Sequence, residues 1–179
     1  MGFDCEYTVV TEMKPDCQDF IEQNHHKCPD GEIRVQHVFA TLDEHIAGQG
    51  FCRISREDVT LPNVRPDILC CSPECPPFSS QRQKNGTTKK TSDAKSHPLF
   101  DCTMDLTLQL LKARKPRCAM IEQVTGWHFK PNKGGPSCME MFIRAVRTEM
   151  PGYGVEVVEL DQKPWLEGAR PRHLHKFIM

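Results

Sequence analysis

Two short apolar runs, "DILCC" (67–71) and "CAMI" (118–121), flank the longest helical pattern in the chain. Runs this short and this continuous suit strands buried on both faces, the situation of strands in a parallel sheet. Between them, "HPLFDCTMDLTLQLLKARK" reads as the best helix. Pro98 marks its start, Leu99, Met104, Leu106, Leu108, Leu110 and Leu111 supply apolar surface, and Lys112, Arg114 and Lys115 suit its C-terminal dipole. The same alternation continues on both sides. "CEYTVV" reads as a strand and "KPDCQDFIEQNHH" as a helix, with Pro15 in its first turn and Phe20 and Ile21 toward a core. "RVQHVFATL" is ambiguous, and "FCRI" is a further strand candidate. "CMEMFIRAVRTEM" is an amphipathic helix on Met139, Phe142, Ile143 and Val146. "YGVEVVEL" and "HKFIM" close as strands. Strand, helix, strand in repetition predicts an α/β fold with a parallel sheet and helices on its faces.

A chain of 179 residues with 38% hydrophobic residues can bury one core, so length predicts one domain. The formal net charge is −1 and selects no partner class. Ten cysteines, at 5, 17, 28, 52, 70, 71, 75, 102, 118 and 138, call for a redox argument. The first residues lack the basic and apolar regions of a secretory signal, and no run approaches the roughly 20 apolar residues of a membrane helix. The reading is therefore intracellular, with reduced thiols that are mostly small buried hydrophobes. A metal module on Cys70, Cys71 and Cys75 fails on spacing, because adjacent strand residues point to opposite faces. "NHHKCPDG" reads as a helix end and turn.

In parallel α/β sheets ligands bind beyond the carboxyl ends of the strands. Four polar residues are predicted at such ends: Glu12 after "YTVV", Asp58 after "CRI", Cys75 after "DILCC" and Glu122 after "CAMI". Pro73, Pro76 and Pro77 restrict the backbone around Cys75. A thiolate is a strong nucleophile at neutral pH, and a carboxylic acid at the neighbouring strand end can donate a proton to whatever the thiolate attacks. The plainer reading is a proline-rich turn around a buried cysteine and a glutamate that caps a helix. The segment from Ser79 to His97 is polar, with Arg82, Lys84, Lys89, Lys90 and Lys95 against Asp93 alone, and reads either as a mobile basic loop or as a solvated linker. Trp127 and Trp165 read as packing residues.

"DILCCSPECPPFSS" resembles the catalytic segment of the cytosine-5 DNA methyltransferases, with Pro73, Cys75, Pro77, Phe78 and Ser79 matching. "CAMIEQVTGW" resembles that family's Glu-Asn-Val segment through Glu122 and Val124. "GARPRHLHKFIM" resembles its Gln-x-Arg-x-Arg segment through Arg170 and Arg172. "VVTEM" and "REDVT" resemble its ribose and adenine segments. The resemblance implies a Rossmann-like, S-adenosylmethionine-dependent methyltransferase fold. It implies Cys75 as nucleophile toward C6 of a flipped cytosine, Glu122 on N3, and Arg170 and Arg172 on the nucleotide and its phosphate. It implies Glu12, Met13, Asp58, Val59 and Pro73 against S-adenosylmethionine. Ser79, Arg82, Lys84, Lys89 and Lys90, in a catalytic loop over 79–97, would contact the nucleic acid. DNA is the implied substrate, and a branch of the family acts on transfer RNA. A nuclear location follows if the source is eukaryotic.

The chain departs from the pattern at Glu74, Pro76, Gln123 and Gly168, where the family has Pro, Gln, Asn and Gln. Glu74 disfavours a neighbouring thiolate by like charge, and the extra methylene of Gln123 changes its reach. No segment matches the family's first strand and Gly-rich cofactor turn, or its target-recognition domain. The chain therefore reads as an N-terminally truncated catalytic domain, a fragment or a gene-model piece, that needs its missing N- and C-terminal segments or a second polypeptide to complete the cofactor pocket. The alternative is a remnant of the same fold that binds nucleic acid without catalysis.

Overall fold

The computed structural model describes residues 8–25, 35–78, 97–128, 130, 134–161 and 173–178. The chain is a mixed α/β structure that divides into two compact units, residues 1–64 and 65–179.

In the first unit β1 (Val9–Thr11) pairs in parallel with β2 (His37–Phe39), and α1 (Pro15–His25) lies between them in sequence. Helix α2 (Leu42–Ala47) is closed at its start by a capping box, in which the Glu44 amide donates to Thr41 Oγ1 at 3.2 Å and Glu44 Oε2 accepts from the Thr41 amide at 2.9 Å. It ends at Gly48, whose φ of 73° is the left-handed C-cap that favours glycine. Strands β3 (Gln49–Cys52) and β4 (Glu57–Thr60) form an antiparallel hairpin. Its turn is tied to α1 by the ion pairs Arg53–Asp19 and Arg56–Glu22. Val35, Val38, Phe39, Cys52 and Leu61 form this unit's core. On α1 the residue that turns inward is Gln18, whereas Phe20 is 57% exposed, the reverse of the sequence expectation. Gln18 Nε2 donates to the Glu12 carbonyl, so a polar side chain takes the inner position by closing the β1–α1 turn.

The second unit holds a four-stranded sheet in the order β5-β6-β8-β7: β5 (Ile68–Cys71), β6 (Cys118–Val124), β8 (His173–Ile178) and β7 (Glu156–Asp161). β5 and β6 are parallel, as expected; β8 is antiparallel to both its neighbours. β7 and β8 form a hairpin whose second strand inserts beside β6. The connection from β5 to β6 carries a single π-helical turn (Cys102–Leu106) continuing into α3 (Thr107–Arg114). The connection from β6 to β7 carries α4 (Cys138–Glu149). Both connections move the same way across the sheet, so right-handed crossovers place both helices on one face rather than on both. α3 and α4 accordingly pack together, with Lys112 Nζ 2.5 Å from Glu149 Oε2.

Burial along β6 alternates. Ala119, Ile121 and Gln123 are fully buried, and Cys118, Met120, Glu122 and Val124 half-buried. β5 departs from the reading of a strand buried on both faces. It sits at the edge of this sheet, Leu69 is its one buried residue, and Ile68 and Cys70 are exposed. The expectation that most cysteines are buried also fails. Among the described residues Cys52 and Cys138 are buried, Cys71 and Cys118 are half-buried, and Cys17, Cys70 and Cys75 are exposed. All seven are free thiols.

Candidate active site

The loop 72–78 leaves the carboxyl end of β5 and carries Cys75, whose side chain is exposed. Buried polar side chains tie this loop to the unit beneath it, and a further bond closes it on itself. The buried Gln123 carboxamide donates from Nε2 to the Pro73 carbonyl at 3.1 Å. The buried Thr103 hydroxyl, in the π-helical turn, donates to the Glu74 carbonyl at 2.6 Å. Beyond the cysteine, the Phe78 amide donates to the Cys75 carbonyl at 2.9 Å, closing a reverse turn with Pro76 and Pro77 at its corners. Phe78 is 1% exposed and packs between Phe100 and Trp127, at centroid distances of 5.9 and 6.1 Å; Trp127 in turn packs on Phe142 at 5.2 Å. Trp127 is thus a core residue, as the sequence reading has it.

Gly126 makes this packing possible. A Cβ there would lie 1.6 Å from the Phe78 carbonyl oxygen, so the backbone of the short 3₁₀ turn Thr125–His128 can approach the loop only without a side chain. The loop is therefore a fixed bracket that holds one thiol out to solvent, and the reading of a turn around a buried cysteine is excluded by the exposure of Cys75.

Glu122 lies within β6, two residues before its end, on the face opposite Gln123. Its Oε2 accepts from the Ser72 hydroxyl at 2.5 Å, which joins the acid to the first residue of the cysteine loop. Lys176 of β8 is its register partner on the other side. The plainer reading of Glu122 as a helix cap does not hold, because the residue is in a strand and its partner is a serine side chain.

The residues assigned to the cofactor are spread over both units. Glu12 stands immediately after β1 and is half-buried. Its amide donates to the Phe39 carbonyl at 3.1 Å, and its Oε1 accepts from the Lys14 amide at 2.8 Å, at the mouth of α1. Met13 is 47% exposed. Asp58 and Val59 do not follow a strand end. They lie inside β4, opposite Phe51 and Gly50 in the hairpin, because "REDVT" is itself a strand and not the loop after one. Pro73 is buried in the second unit. Ser79, Arg82, Lys84, Lys89, Lys90, Arg170 and Arg172 lie outside the described residues, as does the 79–96 part of the basic loop.

A second thiol has a richer hydrogen-bond environment. Cys52 Sγ lies 3.4 Å from His37 Nδ1. Burial raises its pKa, but bonds from the Ser55 side chain and backbone, and from the backbone of Val38 and Ile54, outweigh burial and hold it below the ordinary thiol value. Burial also lowers His37. Cys52 is fully buried, so no substrate reaches it, whereas Cys75 is exposed. A groove of about 230 Å³ between the π-helical turn with α3 and the facing side of α4 is lined by apolar side chains and Asp105, and neither Cys75 nor Glu122 borders it. Among the described residues no group of three or more His, Cys, Asp or Glu could hold a metal ion, and no helix is long and apolar enough to cross a membrane.

Sequence reasoning missed Ser72, Thr103 and Gly126. Gln123 stood out only as a departure from the pattern of the resemblance, and its carboxamide bonds the Pro73 carbonyl.

No family model matches this chain, and no curated protein does. Among solved structures it is similar to the methyltransferase EhMeth of Entamoeba histolytica, with a TM-score of 0.45 and 8% identity over 98% of this chain and 53% of that one. The chain thus spans about half the length of that structure.

Proposed function

We propose that this chain is the catalytic part of a Rossmann-like methyltransferase that transfers a methyl group from S-adenosylmethionine to C5 of cytosine in DNA. The observation that carries the reading is Cys75, exposed on a fixed proline-bound loop at the carboxyl end of a parallel strand, with Glu122 tied to the same loop through Ser72. Open α/β sheets bind their ligands at that end.

In this reading the Cys75 thiolate adds to C6 of a cytosine taken out of the stack, forming a C6–S bond and making C5 nucleophilic. Glu122 hydrogen-bonds N3 and eases that addition. S-adenosylmethionine supplies an electrophilic methyl group. Loss of the C5 proton to a base then breaks the C6–S bond and releases the enzyme. Glu12 suits the ribose hydroxyls of the cofactor, as a half-buried acid just after a parallel strand with one oxygen already oriented by the Lys14 amide. Asp58, inside the β4 hairpin strand, lacks that placement. Arg170 and Arg172, with Ser79, Arg82, Lys84, Lys89 and Lys90, would contact the nucleotide and phosphates.

The test is covalent trapping. DNA carrying 5-fluorocytosine cannot lose its C5 substituent as a proton, so the adduct persists. The whole chain with S-adenosylmethionine is expected to give a band shift stable to denaturant, absent in Cys75→Ser. Transfer RNA in place of DNA separates the two substrate branches. A folded chain that gives neither adduct nor methylated cytosine with either nucleic acid would sink the reading in favour of a non-catalytic nucleic-acid-binding protein.

A further inference from the structure

We propose that Thr103 and Gln123 are positioning residues that set the reactivity of Cys75, a role that rests on reading Cys75 as the nucleophile. The argument begins with where polarity is buried. Thr103 and Gln123 are both fully buried, and apart from Thr107 the buried residues beside them are apolar: Met104, Leu110 and Leu111 along the helix, Ala119 and Ile121 along β6. A buried hydroxyl or carboxamide costs stability unless hydrogen-bonded, and a Val or Leu of similar volume would avoid that cost. Each polar group instead takes the carbonyl of one of the two residues before the cysteine, Pro73 and Glu74.

The geometry of each bond is defined. A threonine hydroxyl has one proton, and its 2.6 Å contact with the Glu74 carbonyl outcompetes the 3.4 Å contact with Leu99 within its own helix. The π-helical turn over Cys102–Leu106 carries Thr103, as π turns often do at functional sites. The Gln123 carboxamide is oriented because its Oε1 accepts from the Val124 amide at 2.9 Å, which turns Nε2 to Pro73. Past the cysteine, the Phe78 amide and the close approach of Gly126 fix the other side. Cys75 is thus the apex of a segment fixed before and after it. Neither Thr103 nor Gln123 can reach a substrate from full burial. They act by keeping the thiol outside, so that attack costs little further ordering.

The test uses the whole chain and two near-isosteric variants, Thr103→Val and Gln123→Leu, with Thr103→Ser as the conservative rescue. The first readout is the rate of iodoacetamide alkylation at Cys75, read by mass spectrometry. Exposed Cys70 in the same molecule is the internal control. Once released, the loop lets the thiol turn into apolar surroundings, where cysteine is commonly found. Alkylation of Cys75 is expected to slow about five-fold or more in either variant, in line with the cost of lost positioning. Cys70 is expected to be unchanged, and Thr103→Ser to keep the parent rate. The second readout is methyl transfer, where kcat is expected to fall with the KM for nucleic acid unchanged. If one variant does not fold, the other carries the test. Parent-like alkylation of Cys75 in a folded variant overturns the proposal, and so does a Thr103→Ser chain that behaves like Thr103→Val. Should the parent show no methyl transfer at all, that failure belongs to the proposed reaction, and the alkylation rates still decide the clamp.

Discussion

At the scale of single residues, the strictest constraint on the site is a missing side chain. Gly126 must lack a Cβ because the Phe78 carbonyl oxygen occupies the place where one would stand, at 1.6 Å. The obstacle is backbone and cannot swing aside, so Gly126→Ala has to move either the 3₁₀ turn or the cysteine loop. The expected cost is about 3 kcal/mol, at the upper end of overpacking effects. Gly152→Ala and Gly154→Ala meet nothing within 4 Å and are expected to stay within about 0.5 kcal/mol of the parent. Urea unfolding of the three variants measures this. A Gly126→Ala chain as stable as the two controls would mean that the close approach of Gly126 to Phe78 is wrong, and the fixed loop with it.

At the scale of elements, α4 carries a pH-dependent cap. Ser137 and Glu140 form a capping box, the Glu140 amide donating to Ser137 Oγ at 3.1 Å and Glu140 Oε2 accepting from the Ser137 amide at 2.6 Å. The Ser137 amide, then its hydroxyl, hold the Glu140 carboxyl below its ordinary 4.5. A depressed carboxyl in the folded state stabilises above the unfolded value and loses that contribution as pH falls through the lower folded value. The parent chain is thus expected to lose thermal stability on acidification below about 4.5, and Glu140→Gln to lose less over the same window. Melting curves across that window check it, and identical slopes would remove the cap from the account. This helix was legible in the sequence, since Met139, Phe142 and Val146 recur at helical spacing and are among its buried residues. The strand–helix–strand unit around α3 was legible for the same local reasons. The position of β8 was not. Its pairing with β6 joins residues about fifty positions apart, and nothing in "HKFIM" says that it enters antiparallel beside Glu122. Cys75 could be read from the prolines around it, but Thr103 looks like any helical threonine until the fold brings it to Glu74. Asp58 was misplaced because a strand and the loop following a strand look alike over five residues.

At the scale of the whole molecule, the proposed chemistry divides along the chain as the compact units do. Residues 65–179 hold Cys75, Glu122 and the contacts that fix the cysteine loop, whereas Glu12 and Asp58 belong to residues 1–64. This division gives a separation of effects that a single-site account does not. Glu12→Gln removes a charge from the carboxylate proposed for the ribose hydroxyls while leaving an acceptor for the Lys14 amide, so α1 keeps its start. A lost charge-assisted bond corresponds to roughly a ten-fold weaker S-adenosylmethionine Kd, measured by calorimetry on the whole chain. The same variant is expected to leave Cys75 alkylation unchanged. Cys75→Ser is expected to do the converse, abolishing the covalent adduct while binding S-adenosylmethionine as the parent does. If Glu12→Gln binds the cofactor like the parent, the strand-end acid has no part in the pocket and the cofactor assignment in the first unit fails. The contacts that fix Cys75 lie wholly within residues 65–179 and would stand unchanged by that outcome.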